Sequence, residues 1–262
     1  MKKRVFTIVV AMVLVIALGL GLAGCGNKDE EKKATATTDL KGKTLHIFCG
    51  AGMTEPFQKI SDAFEEKTGC KMEITFANAG QIQTQINKAK EGDLFIAGST
   101  EELKPVEKHV SESTPLVKHI PVLAVQKGNP KEIKGLKDLT KDGVRVVLAD
   151  AESTPIGKIA NKALSDAGIM KKVNVVARTT TAPQVFAALE AKEADAVIVW
   201  KENIKDQGEV VDTEDMTKYI KEIPAASLSF SKEDEARKAF LEFLATEAGT
   251  KIWEKFGYEI VK

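Results

Sequence analysis

The chain has 262 residues, of which 43% are hydrophobic, and its 38 basic side chains are balanced by 38 acidic ones. This composition is ordinary for a globular protein of one or two domains. The balance of charge excludes a strongly basic protein, so nucleic acid is not an expected partner.

The first 25 residues differ from the rest. Lys2, Lys3 and Arg4 precede a long apolar run that ends at Cys25, a pattern typical of an export signal. A run of about 18 apolar residues is also long enough for an uncleaved membrane anchor. The sequence LAGC at 22–25 resembles the lipobox of bacterial lipoproteins, which implies cleavage before Cys25 and lipid on that residue. We predict a signal peptide over 1–24 and an exported protein, lipid-anchored to the outer face of a cell membrane or to the periplasmic side of an envelope membrane.

Removal of the signal peptide leaves 35 basic and 38 acidic residues, a net charge of 35 − 38 = −3. The segment 25–43 is polar and lacks apolar periodicity, so we predict a lipid-attached flexible tether and a folded body that begins near Thr44. The thiols of Cys49 and Cys70 fall at opposite ends of neighbouring predicted strands. Because a disulfide needs α-carbons within about 7 Å, we predict that both are free.

Apolar runs of strand length alternate with helical patterns along the body. Near-continuous apolar strands separated by helices indicate the α/β class, with mainly parallel sheets covered by helices on both faces. The predicted helices lie at 55–68, 80–90, 156–168 and 183–192, and the predicted strands at 45–49, 71–77, 93–98, 119–126, 145–150, 173–178 and 194–200.

The C-terminal stretch changes character, because apolar residues recur there at helical spacing. We expect this apolar face to pack the last helices onto the body, rather than to form a ligand site. The residues are Ala236, Phe240, Phe243, Leu244, Ile252, Trp253 and Phe256.

Four predicted helices begin with capping residues or proline directly after a strand. Each pattern alone can be purely structural. In open parallel sheets these turns meet at one edge, where unpaired N–H groups and positive helix ends favour an anion. Glycines at 50, 52, 80 and 157 allow the backbone to approach a ligand closely. The sequence predicts an oxyanion site of neutral donors; the candidate caps are Thr54, Asn78, Ser153 or Thr154, and Thr180 or Thr181.

Several segments resemble, in order and spacing, the substrate-binding proteins of molybdate and tungstate ABC transporters. They include GAGMTEPFQKISDAFEEKTG, ANAGQIQTQI, GDLFIAGS, STPIGKIANKAL, EADAVIVW and FLATEAGTKIWEKFGY, and the resemblance covers 44–262. It implies a two-lobed periplasmic-binding-protein fold that closes on a tetrahedral oxyanion in its cleft and delivers it to permease subunits in the membrane. We expect a monomer without a cofactor or structural cation site.

The resemblance also implies which residues face the ligand. They are Ala51, Gly52 and Met53 in the first turn, Asn78, Ala79 and Gly80 in the second, Thr154 in the third, Thr181 and Ala182 in the fourth, and Trp200. The first two turns lack the serine hydroxyls common in the family, and Trp200 stands where tyrosine is usual. We expect Asn78 and Thr154 to compensate as donors.

Two further residues have alternative interpretations. Arg178 either pairs with the anion or points to solvent or to a nearby acid. Cys49 is either a small apolar residue at a strand end or a thiol acidified by a helix start, able to bind a thiophilic anion. An enzyme that uses Cys49 as nucleophile is disfavoured, because His46 on the same strand turns to the opposite face.

The chain is expected to cross between lobes near 119–125 and to return near 220–225. This divides the body into lobe one, 44–120 plus 223–262, and lobe two, 121–222. The leading functional interpretation is an oxyanion receptor. The alternatives are a receptor of the same fold for a different, thiophilic anion and a sensor lipoprotein without a transport role.

Overall fold

The computed structural model describes residues 39–152 and 154–261, which form two sheets flanked by helices. We call each sheet with its helices a lobe. The first sheet has the order β11-β4-β10-β3-β1-β2 and the second the order β7-β6-β8-β5-β9. Within these ranges no helix is long and apolar enough to cross a bilayer.

The first lobe contains six strands and four α-helices. The strands are β1 (Thr44–Gly50), β2 (Lys71–Ala77), β3 (Leu94–Ile96), β4 (Val110–His119), β10 (Lys221–Leu228) and β11 (Glu259–Ile260). The helices are α1 (Thr54–Thr68), α2 (Ala79–Ala89), α5 (Asp234–Leu244) and α6 (Glu247–Lys255), with short 3-10 helices at Ala51–Met53 and Thr100–His109.

The second lobe contains five strands and two α-helices. The strands are β5 (Pro121–Gln126), β6 (Val146–Ala149), β7 (Val175–Thr179), β8 (Ala196–Trp200) and β9 (Gly208–Val210). The helices are α3 (Pro155–Asp166) and α4 (Ala182–Glu190), with 3-10 helices at Leu136–Thr140, Lys201–Asn203 and Glu214–Tyr219.

The α/β class is confirmed, but each sheet is mixed rather than mainly parallel. Strand β1 runs parallel to β2 and β3, and β6 runs parallel to β7 and β8. Strands β4, β5 and β10 pair antiparallel with their neighbours. The chain passes between the sheets through these three strands, so no helical crossover precedes their pairing in the sheet.

The chain leaves the first sheet after His119 and enters the second at Pro121. On the return, Lys221 and Glu222 already pair with β4 of the first sheet, whereas the sequence analysis had placed them in lobe two.

The folded body begins earlier in the chain than the predicted tether, 25–43, allows. Leu40 is buried in the first core, and its N–H donates to the carbonyl of Thr68 at 2.8 Å.

The last helices return to the first lobe, as the apolar spacing predicted. The Phe57 ring on α1 packs edge-on against Phe240 of α5, with centroids 6.0 Å apart, and against Trp253 of α6 at 6.3 Å. Phe64 contacts Phe240 and Phe243 in the same cluster. Edge-to-face aromatic packing stabilises such pairs by about 0.5–1.5 kcal/mol beyond simple burial. The C-terminal helices therefore hold α1, and hence its first turn, against the sheet.

Both described cysteines are free, as predicted. Cys49 pairs with Phe76 near the end of β2, whereas Cys70 directly precedes the first residue of β2. The parallel register between β1 and β2 therefore keeps the two thiols at opposite ends of the sheet.

Gly157, in the first turn of α3, gives a test of the packing that fixes this helix start. A Cβ atom there would lie 2.3 Å from the backbone oxygen of Asp150 and 2.6 Å from that of Ala149. We expect Gly157→Ala to lower the free energy of unfolding by about 1–3 kcal/mol through overpacking, measured by denaturant titration. Gly52→Ala is the control, because its Cβ would meet nothing within 4 Å. Wild-type stability of Gly157→Ala would contradict this packing.

Candidate functional site

A pocket of about 860 Å³ opens between the two lobes, at the edge where β1, β2 and β3 end on one side and β6 and β8 end on the other. Its lining comes from three helix starts, the end of β3 and the junction where the chain crosses between lobes. The lining residues are Gly50, Ala51, Gly52, Met53, Ala77, Asn78, Ala79, Gly80, Gln83, Gly98, Ser99, Glu101, Glu102, His119, Thr154, Pro155, Lys158, Ile159, Trp200 and Lys221.

The first turn is a 3-10 helix that leads into α1, so α1 does not begin with the cap that the sequence predicted. Thr54 is the first α-helical residue, and its hydroxyl donates to the carbonyl of Ala51 at 2.8 Å. Ala51 and Gly52 are exposed in the pocket. The Met53 side chain is buried in the first core. A ligand in the pocket can therefore contact mainly the backbone of this residue.

Helix α2 begins with the cap predicted at Asn78. The Asn78 side chain accepts the N–H of Gln81 at 3.0 Å, and the Gln81 side chain accepts the N–H of Asn78 at 3.3 Å. This reciprocal arrangement satisfies two N–H groups. It leaves the N–H groups of Ala79 and Gly80, both in the pocket lining, without a cap.

Helix α3 begins with Thr154 as its cap, but the one O–H donor of Thr154 is used within the protein. It donates to the carbonyl of Asp150 at 2.5 Å and accepts the N–H of Gly157 at 3.0 Å. The sequence expectation that this hydroxyl donates to a ligand is therefore wrong. Pro155 has no N–H to offer, so α3 presents to the pocket chiefly the side chain of Lys158.

Trp200 ends β8 and lines the pocket from the second lobe. Its ring stacks on His119, with centroids 3.5 Å apart and planes inclined by 18°. His119 contacts the carbonyl of Gly98 through Nδ1 at 3.2 Å and Glu202 through Nε2 at 2.9 Å. These contacts join the end of β4 to the segment after β3 and to the end of β8 with the short 3-10 helix that follows it.

Charged side chains line the pocket, contrary to the expectation of neutral donors only. The ammonium group of Lys221 contacts the carboxylate of Glu101, while Lys158 makes no ion pair with any residue of the described chain. Glu102 accepts the N–H of Gly98 at 2.8 Å. Burial raises the pKa of the Glu102 carboxyl, which disfavours its negative form.

The fourth predicted turn is not in this pocket. Thr181 caps α4 by accepting the N–H of Gln184 at 3.4 Å, and Ala182 is the first helical residue. Helix α4 follows β7, which is the edge strand of the second sheet, so its start is displaced from the ends of β6 and β8. Arg178 on β7 donates to the carbonyl of Ala149 at 3.0 Å and to Asn161 at 2.8 Å, and it does not line the pocket.

Cys49 is a core residue. Its side chain is fully buried beside the apolar residues of the first lobe and does not line the pocket. Burial raises the pKa of the Cys49 thiol well above its usual value, so the hypothesis of an acidified thiol is wrong. Desolvation of the buried sulfur disfavours the thiolate, and this effect exceeds that of the nearby helix start. Ser153 and Cys25, the predicted lipidation site, lie outside the described residues.

The sequence analysis missed the pocket residues at the lobe junction. His119 and Lys221 are the facing residues at the ends of β4 and β10, two strands that the sequence analysis did not predict. Ser99, which directly precedes the 3-10 helix Thr100–His109, also lines the pocket. The sequence does contain a signal for Ser99, because glycine and serine directly follow the predicted strand in the segment GDLFIAGS.

The chain matches bacterial extracellular solute-binding proteins over residues 45–259. It belongs to this family. Among solute-binding proteins, a relative in Haemophilus influenzae named only as a binding protein is 29% identical over 231 residues, covering 85% of this chain and 93% of the relative. The molybdate-binding protein ModA of Rhodobacter capsulatus is 27% identical over 215 residues, covering 79% and 85% respectively.

Among solved structures, this solute-binding protein is similar to a substrate-binding domain assigned to a molybdenum ABC transporter of Clostridium difficile. The identity is 29% and the TM-score 0.70, and the match covers 84% of this chain and 99% of the other. The resemblance to molybdate-type substrate-binding proteins and the two-lobed fold are confirmed by these comparisons.

A serine substitution tests the structural role of Cys49. We expect Cys49→Ser to lower the free energy of unfolding by about 1–3 kcal/mol, because a hydroxyl replaces the thiol in an apolar site, and to leave ligand affinity unchanged. Cys70→Ser is the matched control, since Cys70 is also fully buried and lies outside the pocket. A selective loss of ligand affinity in Cys49→Ser would restore a ligand role for this thiol.

Proposed function

We propose that this solute-binding protein captures a tetrahedral oxyanion, with molybdate or tungstate as the first candidates, and delivers it to the permease of an ABC importer. The observation that carries the proposal is the convergence of helix starts from both lobes on one pocket. The similarity to ModA and to the Clostridium difficile domain supports the same ligand class.

The free backbone donors of α2 suit a small, strongly charged ligand. Ala79 and Gly80 present two adjacent N–H groups at the positive end of the helix dipole. Such groups bind oxygen atoms of an anion without a neighbouring cation. Residues of α3 face them from the other lobe, so an anion that contacts both sets stabilises a closed arrangement of the lobes.

Binding followed by release requires no covalent step, and we propose a non-catalytic, monomeric receptor. Lobe closure then presents the loaded protein to the permease subunits. Delivery to a permease distinguishes this function from that of a sensor lipoprotein, which binds the same ligand without a permease.

The membrane attachment is a separate part of the proposal. We infer from the sequence LAGC that the mature chain begins at Cys25 and carries lipid there. Stable anchoring needs at least two acyl chains or an equivalent second signal. The segment between Cys25 and the first described residues then links the lipid to the folded body.

A larger anion is the second candidate, because a pocket of about 860 Å³ exceeds the needs of one tetrahedral oxyanion. Lys158 lines that pocket without a carboxylate partner among the described residues. A small carboxylate or phosphate ester has enough acceptors to contact both Lys158 and the helix starts. This ligand class binds in the open pocket, whereas a single oxyanion requires closure.

Calorimetric titration with molybdate, tungstate, sulfate and phosphate tests the ligand class. We expect molybdate or tungstate to bind most tightly, because the site gathers several donors for one fully ionised group. We expect Ala79→Pro to weaken binding by roughly tenfold to a hundredfold, since it deletes one N–H that donates to a charged ligand, worth about 1.5–3 kcal/mol. Asn78 precedes it with φ −71° and ψ 155°, a conformation that proline tolerates.

Glu247→Pro is the control for this variant, because it places proline at the first position of α6, after the extended residue Thr246 and away from the pocket. Its ligand affinity is expected to equal that of the wild type. No heat with any of the four oxyanions would contradict the oxyanion assignment, and equal weakening in both proline variants would contradict the role of α2.

Cys25→Ser tests the anchor. We expect this variant, expressed with its native leader in a bacterial host, to lose lipid from its N-terminus and to leave the membrane fraction, as read by mass spectrometry and fractionation. Cys49→Ser in the same experiment is the control and should remain in the membrane fraction with its lipid. Lipid-free wild-type protein, or a variant that keeps its lipid, would contradict attachment at Cys25.

A further inference from the structure

Glu102, in the 3-10 helix that follows β3, holds a fixed position in the pocket lining. One oxygen of its carboxyl group, Oε2, accepts the N–H of Gly98 at 2.8 Å. A Cβ atom on Gly98 would lie 3.2 Å from Oε1 and 3.3 Å from Oε2, so both oxygens rest against the backbone of this glycine. The side chain of Gln83 donates to the backbone carbonyl of Glu102 at 2.8 Å. Gln83 belongs to α2, so the carboxyl group is tied to the helix whose first turn offers the N–H groups of Ala79 and Gly80.

The other carboxyl oxygen of Glu102 is available to a ligand. Oε1 has no hydrogen-bond or ion-pair partner in the part of the chain that the structure describes. The neighbouring carboxylate, Glu101, differs, because it contacts the ammonium group of Lys221. Glu102 therefore lines a pocket proposed for anions without a cation in contact with its carboxyl group.

The surroundings of Glu102 favour the neutral form of its carboxyl group. The other charged or titratable residues of the pocket lining are Glu101, His119, Lys158 and Lys221. Burial is the largest cause of the raised pKa of the Glu102 carboxyl, and the charge of Glu101 adds to it, whereas the N–H of Gly98 and His119 oppose it. The rise prevails, so the negative form is already disfavoured before a ligand arrives.

A bound oxyanion disfavours the negative form further. Two negative groups in contact cannot both stay ionised in a partly desolvated site, so one of them takes a proton. Molybdate and tungstate are fully ionised near neutral pH, and the proton therefore goes from the solvent to Glu102. A carboxylic acid has one O–H donor. It lies on Oε1, because Oε2 accepts the N–H of Gly98.

Such a donor compensates for hydroxyl groups that the helix starts do not provide. The first turn, Ala51–Met53, and the second, 78–80, contain no serine or threonine. The O–H of Thr154, across the pocket, donates to the carbonyl of Asp150. An O–H on Glu102 would stand beside the free N–H groups of α2 and donate to the same anion.

We propose that Glu102 is a ligand-binding residue whose neutral carboxyl group donates a hydrogen bond from Oε1 to an oxygen of the bound oxyanion. Where Glu102 is ionised in the ligand-free protein, each anion then binds together with one proton. The role of Glu102 rests on the proposed oxyanion receptor.

The test is the tungstate affinity of the full chain in detergent, measured by calorimetry for the wild type and Glu102→Gln from about pH 6 to about pH 9. Glutamine keeps a neutral N–H donor but cannot titrate. We expect the affinity of the wild type to fall relative to that of Glu102→Gln as pH rises, approaching tenfold per pH unit, because each anion must then bring a proton to Glu102. His119, Lys158 and Lys221 are present in both proteins, so the ratio of the two affinities isolates Glu102.

Two further variants complete the test. Glu101→Gln is the matched control and should keep the pH dependence of the wild type, because Lys221 lowers the pKa of the Glu101 carboxyl and holds it ionised. Glu102→Ala has no donor and should bind about tenfold more weakly than Glu102→Gln. Parallel pH curves for the wild type and Glu102→Gln, or equal affinities of the two Glu102 variants, would overturn the proposal and leave the oxyanion receptor intact. Failure of the wild type to bind any oxyanion would overturn both.

Discussion

An α-helix leaves the N–H groups of its first turn without carbonyl partners, and the arrangement of this protein depends on where those groups are gathered. Strands β1 and β2 run parallel and end at the same edge, so the turn before α1 and the first turn of α2 meet there. The start of α3 lies across the pocket in the other lobe. Close packing at Gly157 fixes that start, because its backbone touches the turn that precedes it.

The helix caps determine which N–H groups of the first turns remain free to bind a ligand. At α2 the cap satisfies the N–H of Gln81 and leaves those of Ala79 and Gly80. At α3 the cap, together with Pro155, removes most donors, and the side chain of Lys158 takes their place in the pocket. The two lobes therefore contribute different chemistry, with backbone dipoles on one side and an ammonium group on the other.

Polar side chains of the pocket lie at the lobe junction, where the chain crosses between the two sheets. His119 ends β4 just before the chain enters the second sheet, and Lys221 begins β10 just after it returns. Motion of one lobe relative to the other must act on these residues, because both crossings pass through them. An anion that contacts the ammonium group of Lys221 would compete with Glu101 for it.

Much of the fold could be predicted from the sequence, because helices α1 to α4 and the strands between them follow apolar periodicity and local capping signals. Strands β4 and β10 escaped prediction, since β4 is largely exposed and has polar residues at most positions. The contacts of His119 were equally invisible, because they join residues 98, 119 and 202 that only the tertiary fold brings together. The burial of Cys49 also depends on helices far along the chain, which no local pattern reveals.

The most direct test of the account is a crystal structure of the protein grown with tungstate, in which anomalous scattering locates the tungsten atom. The account predicts a single strong peak between the lobes, within hydrogen-bonding reach of the N–H groups of Ala79 and Gly80 through the oxygens of the anion. A tungsten site elsewhere, in protein that calorimetry shows to be saturated, would contradict the claim that converging helix starts form the binding site.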